Sequence, residues 1–379
     1  MIRKQDGFTL VELMITMVIF VIAIAAASNI FTAILTQFKQ QSKIAETNIE
    51  GVVGLETLRY DVEQAGYGLP WDMNSAVYAN EAAAVVAYDG NFPLILANAY
   101  NDAPDGIPKA FVSGDDVLMN GNSDVLVIKA TNASTAAAAQ MWTYVSNSGA
   151  ANTLRTWTGV IDETLQGTDS IIAINPVIGD RQRVLINNAG VFSTTFGALP
   201  SGGGGGSANF EPLADTYDTY IVYGIDDNNP PTPRMPFNRA DYYVKRPAAG
   251  APTRCEASTG VLYKATINHN GGGLNELPII DCVADFQVVY RLDTDGNGTI
   301  DAASTTLAGL TATQVRDQVK EIRIYIIAHE GQLDTTYTSP ATITIDDVGG
   351  AGAFKIFNVP NLNYRWKLYT LVVTPNNLR

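Results

Sequence analysis

Residues 4–13 read Lys4-Gln5-Asp6-Gly7-Phe8-Thr9-Leu10-Val11-Glu12-Leu13, and MITMVIFVIAIAAASNIFTAIL follows to Leu35. No charge occurs from Leu13 to Leu35, and Glu12 is the only ionised group between Phe8 and Phe38. At about 1.5 Å per residue this charge-free run rises about 35 Å, enough to cross a hydrocarbon layer of roughly 30 Å. It predicts a membrane-crossing helix. A cleaved secretory signal is the plainer reading, but the run is too long for one, and no small-x-small cleavage site precedes Gln37-Phe38-Lys39. Arg3 and Lys4 lie before the run, so the bulk of the chain is expected outside the cytoplasm. Glu12 conflicts with a plain anchor. A carboxylate near the edge of a lipid-buried helix is disfavoured by up to about 3 kcal/mol and calls for a positive partner.

The helical pattern continues past the membrane. Ile44, Ile49, Val52, Val53, Leu55, Leu58 and Val62 recur near i, i+3, i+4 spacing among charged residues, and Gly66, Gly68 and Pro70 supply stop signals. Gly51 and Gly54 weaken the pattern, because each costs about 1 kcal/mol relative to Ala. Beyond Pro70 short apolar or alternating runs bounded by Gly, Asn, Asp and Pro read as strands: 124–129, 170–174, 183–186, 219–225, 241–245, 261–267, 284–292, 322–328, 341–345 and 364–373. One helix is predicted after Thr311, with Gln314 completing a capping box and Ala312, Val315, Val319 and Ile322 forming its stripe. The expected fold class is α+β, a long amino-terminal helix packed on a mainly antiparallel β-rich head. Its division is 1–7 leader, 8–66 helix with 8–35 in the membrane, and 67–379 head, in which 71–215 reads as an insertion or second lobe. The five glycines from Gly202 to Gly206 lack the Gly-Lys-Ser/Thr of a phosphate cradle and read as a loop.

Gly7-Phe8-Thr9-Leu10-Val11-Glu12 resembles the class III signal of type IV pilins and type II secretion pseudopilins. The resemblance implies that a prepilin peptidase cuts between Gly7 and Phe8 and methylates the new amino terminus at Phe8. It also implies that Glu12 pairs with the terminal ammonium of an adjoining subunit, which offsets its desolvation and sets axial register. Many major pilins carry a Pro in the outer half of this helix, whereas this chain has none before Pro70. From Asp241 onward, Tyr242-Tyr243-Val244, Gly260 to Tyr263, Asp285 to Tyr290 and Val319 to Ile326 are similar to the carboxy-terminal half of PilW-type minor pilins. That implies a low-abundance subunit that primes pilus assembly and sits at the tip, with other minor and major pilins, and a tip adhesin, as partners. Its implied location is the inner membrane and then the pilus tip. Two other functions stay open: a type II secretion pseudopilin, and a tip adhesin or calcium-dependent binding module.

Composition excludes several classes. Across 379 residues the net charge is −14, with a pI near 4.5, so the cationic footprint of a nucleic-acid binder is absent. Two Cys and two His are too few for most zinc or iron–sulfur sites, and no enzymatic motif occurs around the carboxylates. Oxygen ligands are better supplied. Asp293, Asp295, Asn297 and Asp301 occupy positions one, three, five and nine of a calcium loop, and the Thr299 carbonyl falls at position seven. Position twelve is Ser304 where a bidentate Glu is usual, which predicts a weak site; an ordinary turn at Asp295-Gly296 and Asn297-Gly298 is the competing reading. Cys255 and Cys282 are expected to pair in an oxidising compartment, stabilising by roughly 3 kcal/mol, with two buried thiols as the other reading. His269 and His329 read as solvated loop residues, and Tyr217, Tyr220, Tyr223, Tyr242 and Tyr243 as packing aromatics.

Overall fold

The computed structural model describes residues 9–88, 95–104, 106–119, 122–147, 152–155, 164–199, 210–212, 218–226, 233–247, 250–346 and 353–378. In chain order the elements are α1 (Leu10–Gln64), β1 (Phe111–Leu118), β2 (Ser123–Ala130), β3 (Trp142–Asn147), β4 (Asn152–Leu154), β5 (Ser170–Ile178), β6 (Arg181–Leu185), β7 (Thr194–Thr195), β8 (Thr219–Gly224), β9 (Asn238–Lys245), β10 (Gly260–Ile267), β11 (Leu274–Leu292), β12 (Ala302–Ser304), α2 (Ala312–Gln318), β13 (Val319–Glu330), β14 (Thr342–Asp346), β15 (Ala353–Asn358) and β16 (Arg365–Val373). The main sheet runs β1-β2-β9-β10-β11-β13-β16, with β12 added beside β11, and every pairing in it is antiparallel. This is the expected α+β arrangement.

A second sheet, β4-β3-β8-β5-β6 with β7 beside β5, is built by chain that leaves the main sheet after β2 and returns at β9. Because β2 and β9 are hydrogen-bonded neighbours, with Val125 opposite Tyr243, the second sheet is an insertion between adjacent strands. The expected lobe over 71–215 is therefore corrected. Residues 111–130 belong to the main sheet, and the lobe begins after them, because β1 and β2 form a hairpin that joins the sheet where β2 pairs with β9, more than a hundred residues further along the chain. It carries a core of its own around Val145, Ile171, Phe196, Phe210 and Val222. The run at Gly202–Gly206 lies outside the described residues.

The outer half of α1 packs on β11, β13, β16 and β2. Leu58 and Val62 are fully buried, whereas Ile49, Val52 and Val53 are exposed, so the apolar residues of this segment divide between two faces. The two glycines explain themselves here. A Cβ at Gly54 would lie 2.5 Å from the Ile279 carbonyl oxygen and 2.7 Å from Ile280 Cγ1, while one at Gly51 would make ordinary contact, 3.4 Å, with the Tyr369 hydroxyl. Close approach of helix to strand is what the sequence purchased with the lost propensity. Asp61 of α1 meets Lys264 Nζ at 2.5 Å and accepts the Tyr242 hydroxyl at 2.6 Å in the same interface. At the helix end, Gly66 N–H donates to the Lys129 carbonyl and Asn376 N–H to the Glu63 carbonyl, tying the stem to β2 and to the carboxy terminus.

Strand β9 is buried on both faces because two layers cover it. Alternation along a strand sends Tyr242 to α1 and sends Arg239, Asp241 and Tyr243 to the opposite side. There the segments 78–88 and 95–102 lie across the sheet. Arg239 donates to Glu81, Asp241, Asn101 and the Ala97 carbonyl; Lys129 of β2 reaches Glu81 and Asp102; and the Tyr88 hydroxyl bonds Asp241. Arg239, Lys129, Glu81 and Asp241 are all completely buried. A network of this kind stays favourable only when each member is paired, since an orphaned buried charge costs several kcal/mol.

Two local expectations change. The stripe assigned to the second helix stops at Gln318, and Val319 and Ile322 instead begin β13, a run of β-branched residues held between β11 and β16. Tertiary pairing overrides the helical spacing. The strand expected over 284–292 begins at Leu274, with its first half paired to β10 and its second to β13; Pro278 and the polar residues around it conceal that first half.

Gly54→Ala is expected to lower stability by about 1–3 kcal/mol although Ala favours helix, because the strand must shift to admit the methyl group. Gly51→Ala should be neutral or mildly stabilising. Thermal unfolding of both variants in detergent checks this, and a Gly54→Ala protein as stable as Gly51→Ala would contradict the packing argument.

Candidate functional site

Every described residue from Thr9 to Lys39 is exposed, and Gln40 is the first on the stem to be partly covered. The stem therefore leaves the head bare along an apolar length that matches a bilayer. Gly7 and Phe8, the predicted processing site, lie outside the described residues. Glu12 lies in the first turn of α1. Its carboxylate accepts the Thr9 N–H at 3.0 Å and the Thr9 hydroxyl at 2.9 Å, while Thr9 Oγ1 accepts the Glu12 N–H at 3.3 Å. That is a capping box, and it orients the carboxylate toward the helix start, where an ammonium at Phe8 would arise. Thr9 was legible as the first residue of a Thr-x-x-Glu pattern before an apolar run, and the sequence reading passed over it.

The acidic loop joins β11 to β12. Its ends are fastened by Asp301 N–H on the Leu292 carbonyl and Asp293 N–H on the Gln318 carbonyl. Carboxylate oxygens of Asp293, Asp295 and Asp301 lie within 4.8 Å of one another, so three of the expected ligands converge. Asp293 accepts N–H bonds from Gly296, Asn297 and Gly298; burial acts against ionisation, but these backbone donors hold its carboxyl below the usual range. Gly296 and Gly298 both take positive φ, 74° and 86°, which wraps the backbone around that carboxylate. Asn297 Oδ1 accepts the Thr299 N–H at 2.8 Å, and the Asp301 carboxylate accepts the Thr294 N–H and hydroxyl. Lys320 Nζ stands 3.9 Å from Asp293 and supplies positive charge at the loop. Ser304, at position twelve, lies in β12 and donates to the Thr306 carbonyl.

Cys255 and Cys282 are joined by a disulfide with Cα atoms 5.0 Å apart, clamping the 250–256 loop onto β11. His329 packs beside it. Both histidines, expected to be solvated, are in fact buried: His269 is 3% and His329 2% exposed. His269 Nδ1 accepts the Arg234 N–H at 2.8 Å, and His329 Nε2 accepts the Glu256 N–H at 2.9 Å between the rings of Tyr364 and Trp366. Each is a neutral acceptor organising a loop, a role with no local sequence signal. Tyr220, Tyr223, Tyr242 and Tyr243 are buried packing residues as expected, and Tyr217 lies outside the described residues.

Comparison with protein families now bears on these features. Residues 2–28 match the family described as the prokaryotic N-terminal methylation motif, and residues 241–377 match that described as type IV pilus-assembly protein W. No curated protein and no solved structure matches the chain. A bare apolar stem bearing the methylation motif, continuous with a helix packed on an antiparallel sheet, defines a type IV pilin-like protein. Within that class the region from β9 to the carboxy terminus is similar to PilW-type proteins, which supports a minor pilin role.

Burial lowers the pKa of His329 and of His269 to about 4. The folded form of each then binds fewer protons than an unfolded His titrating near 6.5, so their contribution is intact above pH 6.5 and is lost as pH falls toward 4. Asp124 and Asp285 slope the other way, because burial raises them to about 8 and about 6. The difference between wild type and His329→Gln isolates the histidine, since a Gln amide accepts the same Glu256 N–H without titrating. Melting temperatures between pH 7 and pH 4 should fall less steeply in the variant; parallel curves would refute the assignment.

Proposed function

We propose that this minor pilin primes filament formation and forms part of the tip complex, with its stem joining a helical bundle of other minor and major pilins. The exposed apolar face of α1 carries this reading. Ile49, Val52 and Val53 are each more than half exposed, with Tyr60 further along the helix, and Ile49 lies about 21 Å of helix beyond Leu35. Lipid does not extend that far, and the head covers the opposite face through Leu58 and Val62. A protein partner running alongside the stem is the occupant that suits this strip, and neighbouring pilin stems have the required form. The prepilin peptidase frees the stem by cutting at Gly7, and Glu12 then receives the ammonium of an adjoining Phe8.

Glu12→Ala should leave membrane insertion intact, because the carboxylate opposes burial, and should reduce assembly, because only a neighbouring ammonium compensates it. Co-purification with other pilins from solubilised membranes tests this, with intact mass verifying that both proteins begin at N-methylated Phe8. Equal recovery of partners by wild type and variant would sink the proposal.

We also infer that the 293–301 loop takes calcium through Asp293, Asp295, Asn297, Asp301 and the Thr299 carbonyl. Convergence of three carboxylates supports it, and hard oxygen donors suit this cation. With Ser304 in place of a bidentate Glu, affinity should lie on the order of 0.1–1 mM. Millimolar calcium then stabilises the fold by about 0.4–1.4 kcal/mol. Melting in calcium and in chelator, for wild type and Asp293→Ala/Asp295→Ala, checks this. A wild-type transition unmoved by calcium leaves an ordinary turn.

A further inference from the structure

We propose that the stem-side end of the head binds the headgroup of an anionic phospholipid in a cleft between α1 and the loops at 250–256 and 331–334. This rests on the membrane-anchored reading of the stem. The cleft has a volume of about 480 Å3 and is lined by Lys43, Thr253, Arg254, Gln332, Leu333 and Tyr364. Its height is set by the helix. Lys43 lies about 12 Å of helix beyond Leu35, the last residue of the charge-free run, which places its long side chain within reach of the headgroup layer. Lys39 and Lys43 are the only charged residues between Leu13 and Ala45, so the stem leaves the bilayer through a cationic collar although the whole chain carries −14.

The head is locked onto the stem at this level. Gly331 N–H donates to Thr47 Oγ1 at 3.2 Å, and a Cβ at Gly331 would lie 3.0 Å from Ile44 Cγ1, so the 331–334 loop sits directly against the helix. The disulfide fixes the other wall, and Arg254 Nη2 bonds Asp281 at 2.8 Å. Lys43 is half exposed and bonds Glu46 at 2.6 Å. Leu333, 47% exposed, and Tyr364 give the same cleft an apolar and an aromatic component. Basic, aromatic and apolar side chains gathered at one depth are the combination that favours a membrane interface, and a phosphate diester entering the cleft would compete with Glu46 for Lys43 and with Asp281 for Arg254. An anionic headgroup held there would set the tilt of the head before the stem leaves the membrane.

The full chain in nanodiscs of phosphatidylcholine, and of phosphatidylcholine with an equal part of phosphatidylglycerol, provides the test by hydrogen exchange. Protection of the 13–35 peptide reports insertion independently. Insertion is expected in both discs, with exchange at 250–256 and 331–334 slowed on the order of tenfold by phosphatidylglycerol. Lys43→Gln/Arg254→Gln should abolish that slowing. Lys43→Gln alone, at a half-exposed position on the stem, should reduce it without disturbing the fold. Inorganic phosphate added to the detergent-solubilised chain should leave both loops unchanged; equal slowing by phosphate would overturn the assignment to lipid. Identical exchange in the two discs with the stem inserted would overturn the headgroup site alone. Failure of the 13–35 peptide to gain protection would overturn the membrane reading with it.

Discussion

The contact at Gly54 governs the rest of the architecture. A helix and a strand can approach this closely only where one of them has no side chain, and the absent Cβ lets α1 descend onto the Ile279–Ile280 backbone of β11. At that distance Leu58 and Val62 enter the core, and Asp61 reaches both Lys264 and Tyr242. The outer half of the stem thus becomes a layer of the head. The inner half, from Leu10 to Lys39, stays exposed throughout and keeps its apolar surface for another solvent.

Continuity of that helix couples two environments. Without a Pro before Pro70 and with unbroken helix through Gly51 and Gly54, the stem runs without interruption onto β11, an interior strand of the sheet. The same continuity fixes the height of each feature above the membrane: the cationic collar and stem-side cleft first, then the apolar strip at Ile49–Tyr60, then the far end, where Gly66 is bonded to β2. Assembly of such a subunit depends on which surface meets which neighbour at each height. The covering segments 78–88 and 95–102 are fastened to the sheet, in part by wholly buried ion pairs of Glu81 with Lys129 and Arg239.

The inserted second sheet illustrates how this fold can be extended. The chain between β2 and β9 is nonetheless part of the same body: one face of the second sheet joins the main core through Ile172, Ile174, Leu185 and Tyr223, while Ile171, Ala173 and Val222 on the other face pack in its own core. The family match begins within β9, at Asp241, immediately after the chain has returned. The acidic loop lies far along the same sheet, between β11 and β12, where its ends are held by backbone bonds to β11 and to the end of α2.

By itself the sequence determined the stem, the Glu12 motif, the pairing of Cys255 with Cys282 as an expectation, and most strands of the main sheet. These depend on composition and short spacing: an apolar run of bilayer length and a period-two alternation are local facts. The carboxylates of the 293–301 loop were also legible, because their spacing places them on one backbone turn. Tertiary structure alone decided the remainder. Val319 and Ile322 fit a helical stripe until strands on both sides claim them, and Gly54 reads as a defect until β11 lies against it. His269, His329, Lys129 and Arg239 carry no local mark of burial, since polar side chains enter a core only where partners from distant chain satisfy them. Long-range pairing chose most of those partners: Glu81 lies 48 residues from Lys129 and 158 from Arg239, and no short window of sequence contains both halves of these contacts.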